Sequence, residues 1–129
     1  MATASKLQAV IVDDQFTMRA LVRTGLQQIG IMQVREFPTA TEAWQSLQTQ
    51  SAHFVISDFN MPGMDGLQFL RTMRANPKMA NTAFILLTGR ADKELVTRAL
   101  QFGANNYLVK PFTVATLKQK IEQVVGALT

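Results

Sequence analysis

A five-stranded parallel sheet covered by helices on both faces is the fold the sequence predicts, and three observations predict it. Five short apolar runs alternate with five longer amphipathic ones along the 129 residues. The short runs are rich in Val, Ile, Leu and Phe and mostly do not alternate with polar residues, as suits strands buried on both faces. The chain is long enough for one domain with one core, and no low-complexity segment or linker divides it.

The elements follow in order. The first strand is expected at Ala9–Val12. A helix over Thr17–Ile29 puts Met18, Leu21, Val22, Leu26 and Ile29 on one stripe and stops at Gly30. The second strand is Val34–Phe37, and a helix over Ala40–Gln48 follows the capping-box pattern Thr39-Ala-Thr-Glu42. The third strand is Phe54–Ser57. The third helix, Gly66–Ala75, spaces Leu67, Leu70, Met73 and Arg74 helically and ends before Pro77. After the strand Phe84–Leu87, a helix over Asp92–Phe102 opens with acids and stops at Gly103. The fifth strand is Asn106–Val109. The last helix, Thr113–Leu128, offers Thr113 as a cap and buries Leu117, Ile121, Val124, Val125 and Leu128. One domain over residues 1–129 is expected, its first few residues mobile.

Composition narrows the function. Hydrophobic residues are 47% and charged residues 17%, the balance of a globular chain rather than a disordered one. No apolar stretch approaches the roughly 18 residues of a membrane helix, and the first eight residues lack the apolar centre of a signal peptide. A cytoplasmic protein with no membrane partner is expected. The absence of cysteine excludes disulfides and thiolate metal sites. A net charge of +4 invites a nucleic-acid reading, but Lys and Arg form no adjacent run, and no aromatic stacking motif accompanies them. No nucleic-acid partner is expected.

In open α/β sheets, ligands lie outside the carboxyl ends of the strands where the strand order switches. Here the first strand runs into Asp13-Asp14, the third into Asp58, the fourth into Thr88 and the fifth into Lys110. If the first and third strands are neighbours, three carboxylates converge. At an effective dielectric of about 20, each like-charged pair at ~4 Å costs on the order of 4 kcal/mol. A hard divalent cation relieves that cost, and an all-oxygen donor set without His or Cys suits Mg²⁺. The ammonium of Lys110 is a second remedy. A cation, a lysine and a hydroxyl around one carboxylate equip a site for phosphoryl transfer, with Asp58 as acceptor. The loop Phe59-Asn-Met-Pro-Gly-Met-Asp-Gly66 then has a purpose. Asn60 offers a backbone carbonyl to the metal, and Pro62, Gly63 and Gly66 turn the chain away without bulk.

Asp13-Asp14, Asp58, Thr88, Tyr107 and Lys110-Pro111, together with "VDDQFTMR", "VISDFNMPGMDG" and "YLVKPFT", resemble the receiver domain of two-component response regulators. The likeness is strongest to the stand-alone chemotaxis receivers of the CheY type and runs from about Ala9 to Leu128. It implies a flavodoxin-like (βα)5 sheet of order 2-1-3-4-5, for which CheY is a standard example. It implies that Asp58 takes a phosphoryl group from a phosphohistidine on a kinase of chemotaxis type. Asp14, Asp58 and the Asn60 carbonyl would bind Mg²⁺, with Asp13 supporting it through water. Lys110 would contact the phosphoryl group, Thr88 would swing to it, and Tyr107 would turn into the vacated space. The Lys110-Pro111 bond would be cis. The output face would be the fourth helix, fifth strand and fifth helix, which opens towards a flagellar motor switch protein and a phosphatase. A monomer that assists its own phosphorylation and dephosphorylation, rather than an enzyme acting on outside substrates, is implied.

Three positions depart from CheY-like proteins. Gly89 follows the switch threonine and predicts easier exchange between switch states. Arg90 stands where the family tunes phosphoryl lifetime, as does Asn60. Phe59 replaces a frequent Trp beside the acceptor, and the single tryptophan, Trp44, falls on the second helix, so metal should quench its fluorescence weakly. His53, before the third strand, is expected at the surface without a ligand or base partner, while Met18, Met61 and Met64 are expected to pack. From Gly89 onward the chain carries +3 of its +4 charge, which suits an acidic or amphipathic helical partner. Other readings of the same residues are a phosphate sink or phosphorelay intermediate, and a Mg²⁺-dependent phosphatase, which would need an Asp-x-Asp nucleophile pattern that Asp13-Asp14-Gln15 does not supply. A nucleotide or flavin domain would need a glycine-rich phosphate loop that does not occur.

Overall fold

The protein is described by a computed structural model over residues 2–89 and 93–129. Five parallel strands, β1 (Gln8–Val12), β2 (Gln33–Phe37), β3 (Phe54–Asp58), β4 (Ala83–Thr88) and β5 (Asn106–Val109), form one sheet of order β2-β1-β3-β4-β5. Helices α1 (Phe16–Ile29), α2 (Ala40–Thr49), α3 (Gly66–Ala75), α4 (Lys93–Gln101) and α5 (Val114–Val125) alternate with them. The implied topology is the one observed. Element ends differ from expectation by one to three residues, most at the C-terminal end of α5.

The unbroken apolar runs of β3 and β4 are explained by two cores. Val10, Val12, Val55, Phe84 and Leu86 point to one face, where Leu67, Phe69, Leu70 and Met73 of α3 cover them. Ala9, Ile11, Phe54, Ile56, Ile85 and Leu87 point to the other, beneath Val22 and Leu26 of α1 and Leu117 and Ile121 of α5. Successive strand residues serve opposite faces, so both sets must be apolar. Burying each such side chain stabilises by about 1.5–3 kcal/mol. Phe69 meets Phe84 edge to face at 6.0 Å, joining α3 to β4.

Helix ends follow local chemistry. Gly30 takes φ +99 at the end of α1, where only glycine is comfortable. The Thr113 hydroxyl accepts from the Thr116 amide, as expected of a cap. At α2 only half of the expected capping box forms. Thr39 Oγ1 accepts from the Glu42 amide, but the Glu42 carboxylate takes the Thr39 hydroxyl instead of its backbone amide. The complete box is at α3, where Asp65 accepts from the Gln68 amide and Gln68 Oε1 accepts from the Asp65 amide.

Three expectations are corrected: the burial of Leu21, the freedom of the first residues and the reach of α5 to Leu128. Leu21 is 55% exposed rather than part of the buried stripe of α1, because it falls on the rim of a 210 Å³ groove between α1 and the turn after β5. The N-terminal residues are tied down: Ala2 pairs with Leu128, residues Ala4–Lys6 form a 3-10 turn, and Ala4 is buried. That pairing draws Leu128 out of α5. His53 is exposed, as expected, and its Nδ1 accepts the Gln8 amide at 2.9 Å. This is a structural bond joining the starts of β1 and β3. The expected acidic start of the fourth helix, Asp92, lies outside the described residues.

Candidate functional site

The sheet order makes β1 the switch point. It pairs with β2 on one side and β3 on the other, and the connections that follow β1 and β3 run in opposite directions along the sheet. Asp13 and Asp14 follow β1 directly and Asp58 ends β3. Their carboxylate oxygens lie within 4.8 Å of one another. Asp13 is fully buried, Asp58 is 6% exposed and Asp14 faces solvent.

Lys110 enters from the end of β5. Its Nζ lies 3.1 Å from Asp58 Oδ1 and 3.6 Å from Asp13 Oδ2. The Lys110 amide donates to the Thr88 carbonyl at 2.8 Å, and the Lys110-Pro111 bond is cis, as the resemblance implied. Thr88, 4% exposed, ends β4 between them. Two of the three carboxylates thus share one ammonium. The consequence falls on Asp13, whose carboxyl is pushed above the ordinary value chiefly by burial. The Gln15 amide, donating to Asp13 Oδ1 at 2.9 Å, opposes that rise, as does Lys110, while Asp58 and Asp14 add to it.

The donor set fits a hard cation. It is all oxygen, one member opens to solvent, and the buried Asp13 Oδ2 has no hydrogen-bond donor among the described residues. Residues that could hold Mg²⁺ are Asp13, Asp14 and Asp58, with the exposed Asn60 two residues beyond Asp58.

The loop after β3 is shaped by contact as well as by turn propensity. The Gly66 amide donates to the Phe59 carbonyl at 2.9 Å, and a Cβ at Gly66 would lie 2.5 Å from the Asp58 carbonyl oxygen. Glycine lets α3 start against the backbone of Asp58. Gly63 takes φ +77 in the same loop. Met61 is buried, and Met64 packs against the same core. Phe59 is half-buried beside Asp58, while Trp44, on α2, lines a shallow groove with Arg71 and Thr72 of α3.

Tyr107 is half-buried on β5, with Lys120 Nζ 4.1 Å from its ring centroid. A Cβ at Gly89 would meet nothing within 4 Å. Arg90, expected to tune phosphoryl lifetime, lies outside the described residues. Sequence reasoning missed Arg19, whose Nη1 donates to the Asp13 carbonyl at 2.7 Å. Only its place in the first turns of the helix that follows the Asp13-Asp14 pair hinted at that contact.

The chain matches the response regulator receiver domain family over residues 9–122. A probable chemotaxis protein CheY of Rhizobium etli is 47% identical over 128 residues, spanning 99% of each chain. Chemotaxis protein CheY-3 of Vibrio cholerae is 36% identical over 95% of this chain and 94% of its own. Among solved structures, chemotaxis response regulator CheY4 of Vibrio cholerae superposes with a TM-score of 0.85 at 30% identity, over 92% of this chain and 98% of that one. The receiver domain of a sensor histidine kinase from Pseudomonas aeruginosa, solved with magnesium coordinated in its active-site cleft, superposes with a TM-score of 0.84 at 26% identity, over 94% of this chain and 98% of that one. Fold, acidic switch point and matched sequence agree: this chain belongs to the response regulator receiver domain family.

Proposed function

We propose that the chain, as one receiver unit, is a Mg²⁺-dependent phosphoacceptor in which Asp58 takes a phosphoryl group from a phosphohistidine on a chemotaxis-type kinase. The observation that carries this reading is Lys110 Nζ 3.1 Å from Asp58 Oδ1 within a three-carboxylate cluster. An Asp58 carboxylate oxygen attacks phosphorus, the phosphorus–nitrogen bond breaks, and the imidazole leaves with the electron pair. Lys110 balances charge on the transferring group, and Thr88, at the end of β4, is placed to donate to a phosphoryl oxygen. Mg²⁺, when bound by Asp13, Asp14, Asp58 and the Asn60 carbonyl, supplies charge neutralisation and orientation of the phosphoryl oxygens. The same neighbours hold the acyl phosphate for attack by water, so the chain assists its own dephosphorylation. Arg90 and Asn60 are the positions proposed to tune that lifetime.

Phosphorylation then biases Thr88 and Tyr107 and, through them, the α4–β5–α5 face. The chemotaxis relatives make a flagellar motor switch protein the favoured target of that face, with a phosphatase as a second visitor. A cytoplasmic monomer fits this role; no described helix is long and apolar enough to cross a membrane.

Intact-protein mass after incubation with acetyl phosphate tests the chemistry. A phosphoryl adduct that needs Mg²⁺ and is lost in Asp58→Asn is expected. Binding of beryllofluoride, a stable phosphoryl mimic, separates fast hydrolysis from an inert site; failure of both would end the proposal.

A further inference from the structure

The Asp13-Asp14 turn is gripped from the side away from Lys110. Arg19, on the first turn of α1, has a side chain only 14% exposed. Its Nη1 donates to the Asp13 carbonyl at 2.7 Å, and its Nε reaches Glu36 Oε1 at 3.3 Å. Glu36, near the end of β2, also pairs with the Nε of Arg23. The next residue, Phe37, accepts the Asp13 amide through its carbonyl at 3.2 Å. The peptide groups on both sides of Asp13 are therefore fixed: its N–H by β2 and its C=O by Arg19. The peptide that Arg19 holds is the one that leads into Asp14, the exposed member of the cluster. The guanidinium is planar and its donors diverge at fixed angles, so one side chain holds the carbonyl and Glu36 together.

We propose that Arg19 is a positioning residue for divalent-cation binding, holding the Asp13–Asp14 peptide so that Asp14 presents its carboxylate to the ion, with Glu36 orienting Arg19. The inference rests on the Mg²⁺ reading of the cluster. Partners that orient metal ligands typically change affinity by about 10–100-fold when removed. Simple electrostatics predicts the opposite sign. Arg19 is a positive charge beside a cation site, and deleting it should tighten Mg²⁺ binding by reducing repulsion.

That opposition of signs makes the test sharp. Mg²⁺ affinity is measured calorimetrically on the full chain, with the Asp14 amide shift as a second readout, for wild type, Arg19→Met, Arg19→Lys and Arg23→Met. Arg19→Met should weaken Mg²⁺ about tenfold despite the lost charge. Arg19→Lys keeps the charge but not the fork, and should fall between Arg19→Met and wild type. Arg23→Met removes the pair on the other Glu36 oxygen and leaves the Arg19–Glu36 pair and Asp13 in place, so it should lower the melting temperature and leave the affinity unchanged. Equal or tighter Mg²⁺ binding in Arg19→Met, or in Arg19→Lys should the Met variant not fold, overturns the proposal. So does an equal loss in Arg23→Met, which would mean general loosening. A wild-type chain that binds no Mg²⁺ removes the cation reading itself, which distinguishes that failure from this one.

Discussion

The two flanks of the acidic cluster are built differently. On the β2 side, Asp13 is held through its amide, its carbonyl and one carboxylate oxygen, and two arginines share Glu36 behind it. On the β5 side, a Cβ at Gly89 would meet nothing within 4 Å among the described residues, and Tyr107 is half-buried with Lys120 over its ring. A site that must hold an ion needs ligands that do not wander, and a surface that must change state needs few contacts to break. The comparison teaches that the two flanks are held by different kinds of contact. Asp13 is fixed through its own peptide groups, whereas Tyr107, on the side proposed to switch, carries a side-chain cation over its ring.

Substitutions on the side that fixes Asp13 should therefore cost stability, and those on the side proposed to switch should change exchange more than stability. The largest effect is expected from Gly66→Ala. Its Cβ would meet the Asp58 carbonyl at 2.5 Å, with the Phe59 Cα at 3.0 Å, and both are backbone that cannot swing aside. A loss of about 1–3 kcal/mol in urea unfolding is expected, with slower phosphorylation of Asp58. Unchanged stability would show that the loop has slack the geometry denies.

Glu36→Gln should come next, at about 1 kcal/mol near neutral pH. Burial alone would raise the Glu36 carboxyl, but Arg23 and Arg19 outweigh it and hold the group below its ordinary value. A depressed carboxylate contributes stability above its unfolded pKa and loses it as pH falls through the folded one. The gap between wild type and Glu36→Gln should thus be full at pH 7 and close in acid. A gap that persists at the lowest pH where both fold would assign the effect to packing.

Lys120→Met removes the cation over Tyr107 and keeps the stem. About 0.5–1 kcal/mol of stability should be lost, with faster exchange of the Tyr107 ring between environments in NMR. The smallest effect belongs to Gly89→Ala. Gly89 is not among the positive-φ glycines and has room for a methyl group. A gain of about 0.5 kcal/mol is expected from a stiffer unfolded chain, with damped millisecond exchange at Thr88 and Tyr107. A cost in stability, or undiminished relaxation dispersion, would erase the contrast between the flanks.

Most of the fold was legible because buried parallel strands cannot hide their composition. Val10-Ile11-Val12 and Phe54-Val55-Ile56 have no polar face to disguise them, and each stops where its first carboxylate begins. Asp13, Asp14, Asp58, Thr88 and Lys110 could be grouped because strand ends in a parallel sheet lie along one edge. What escaped the sequence depends on distances across the fold. Leu21 has helical spacing for burial, yet no neighbour reaches over it. Thr39-x-x-Glu42 and Asp65-x-x-Gln68 both carry box patterns, but only at the second did the side chain turn back to the cap. Arg19 and Glu36 are 17 positions apart, and nothing in either segment announces the partner.

The pairing of Ala2 with Leu128 brings the two ends of the chain side by side. The Ala2 amide donates to Ala127, and the Thr129 amide donates back to Ala2. This seam lies with His53 and Ala83 at the amino ends of the strands, across the sheet from Asp58. A short covalent link between the ends would therefore close the backbone into a ring without reaching the acidic edge. New ends could then be opened in an exposed turn, such as the one after α3, and the rearranged chain should keep its sheet order and its acceptor.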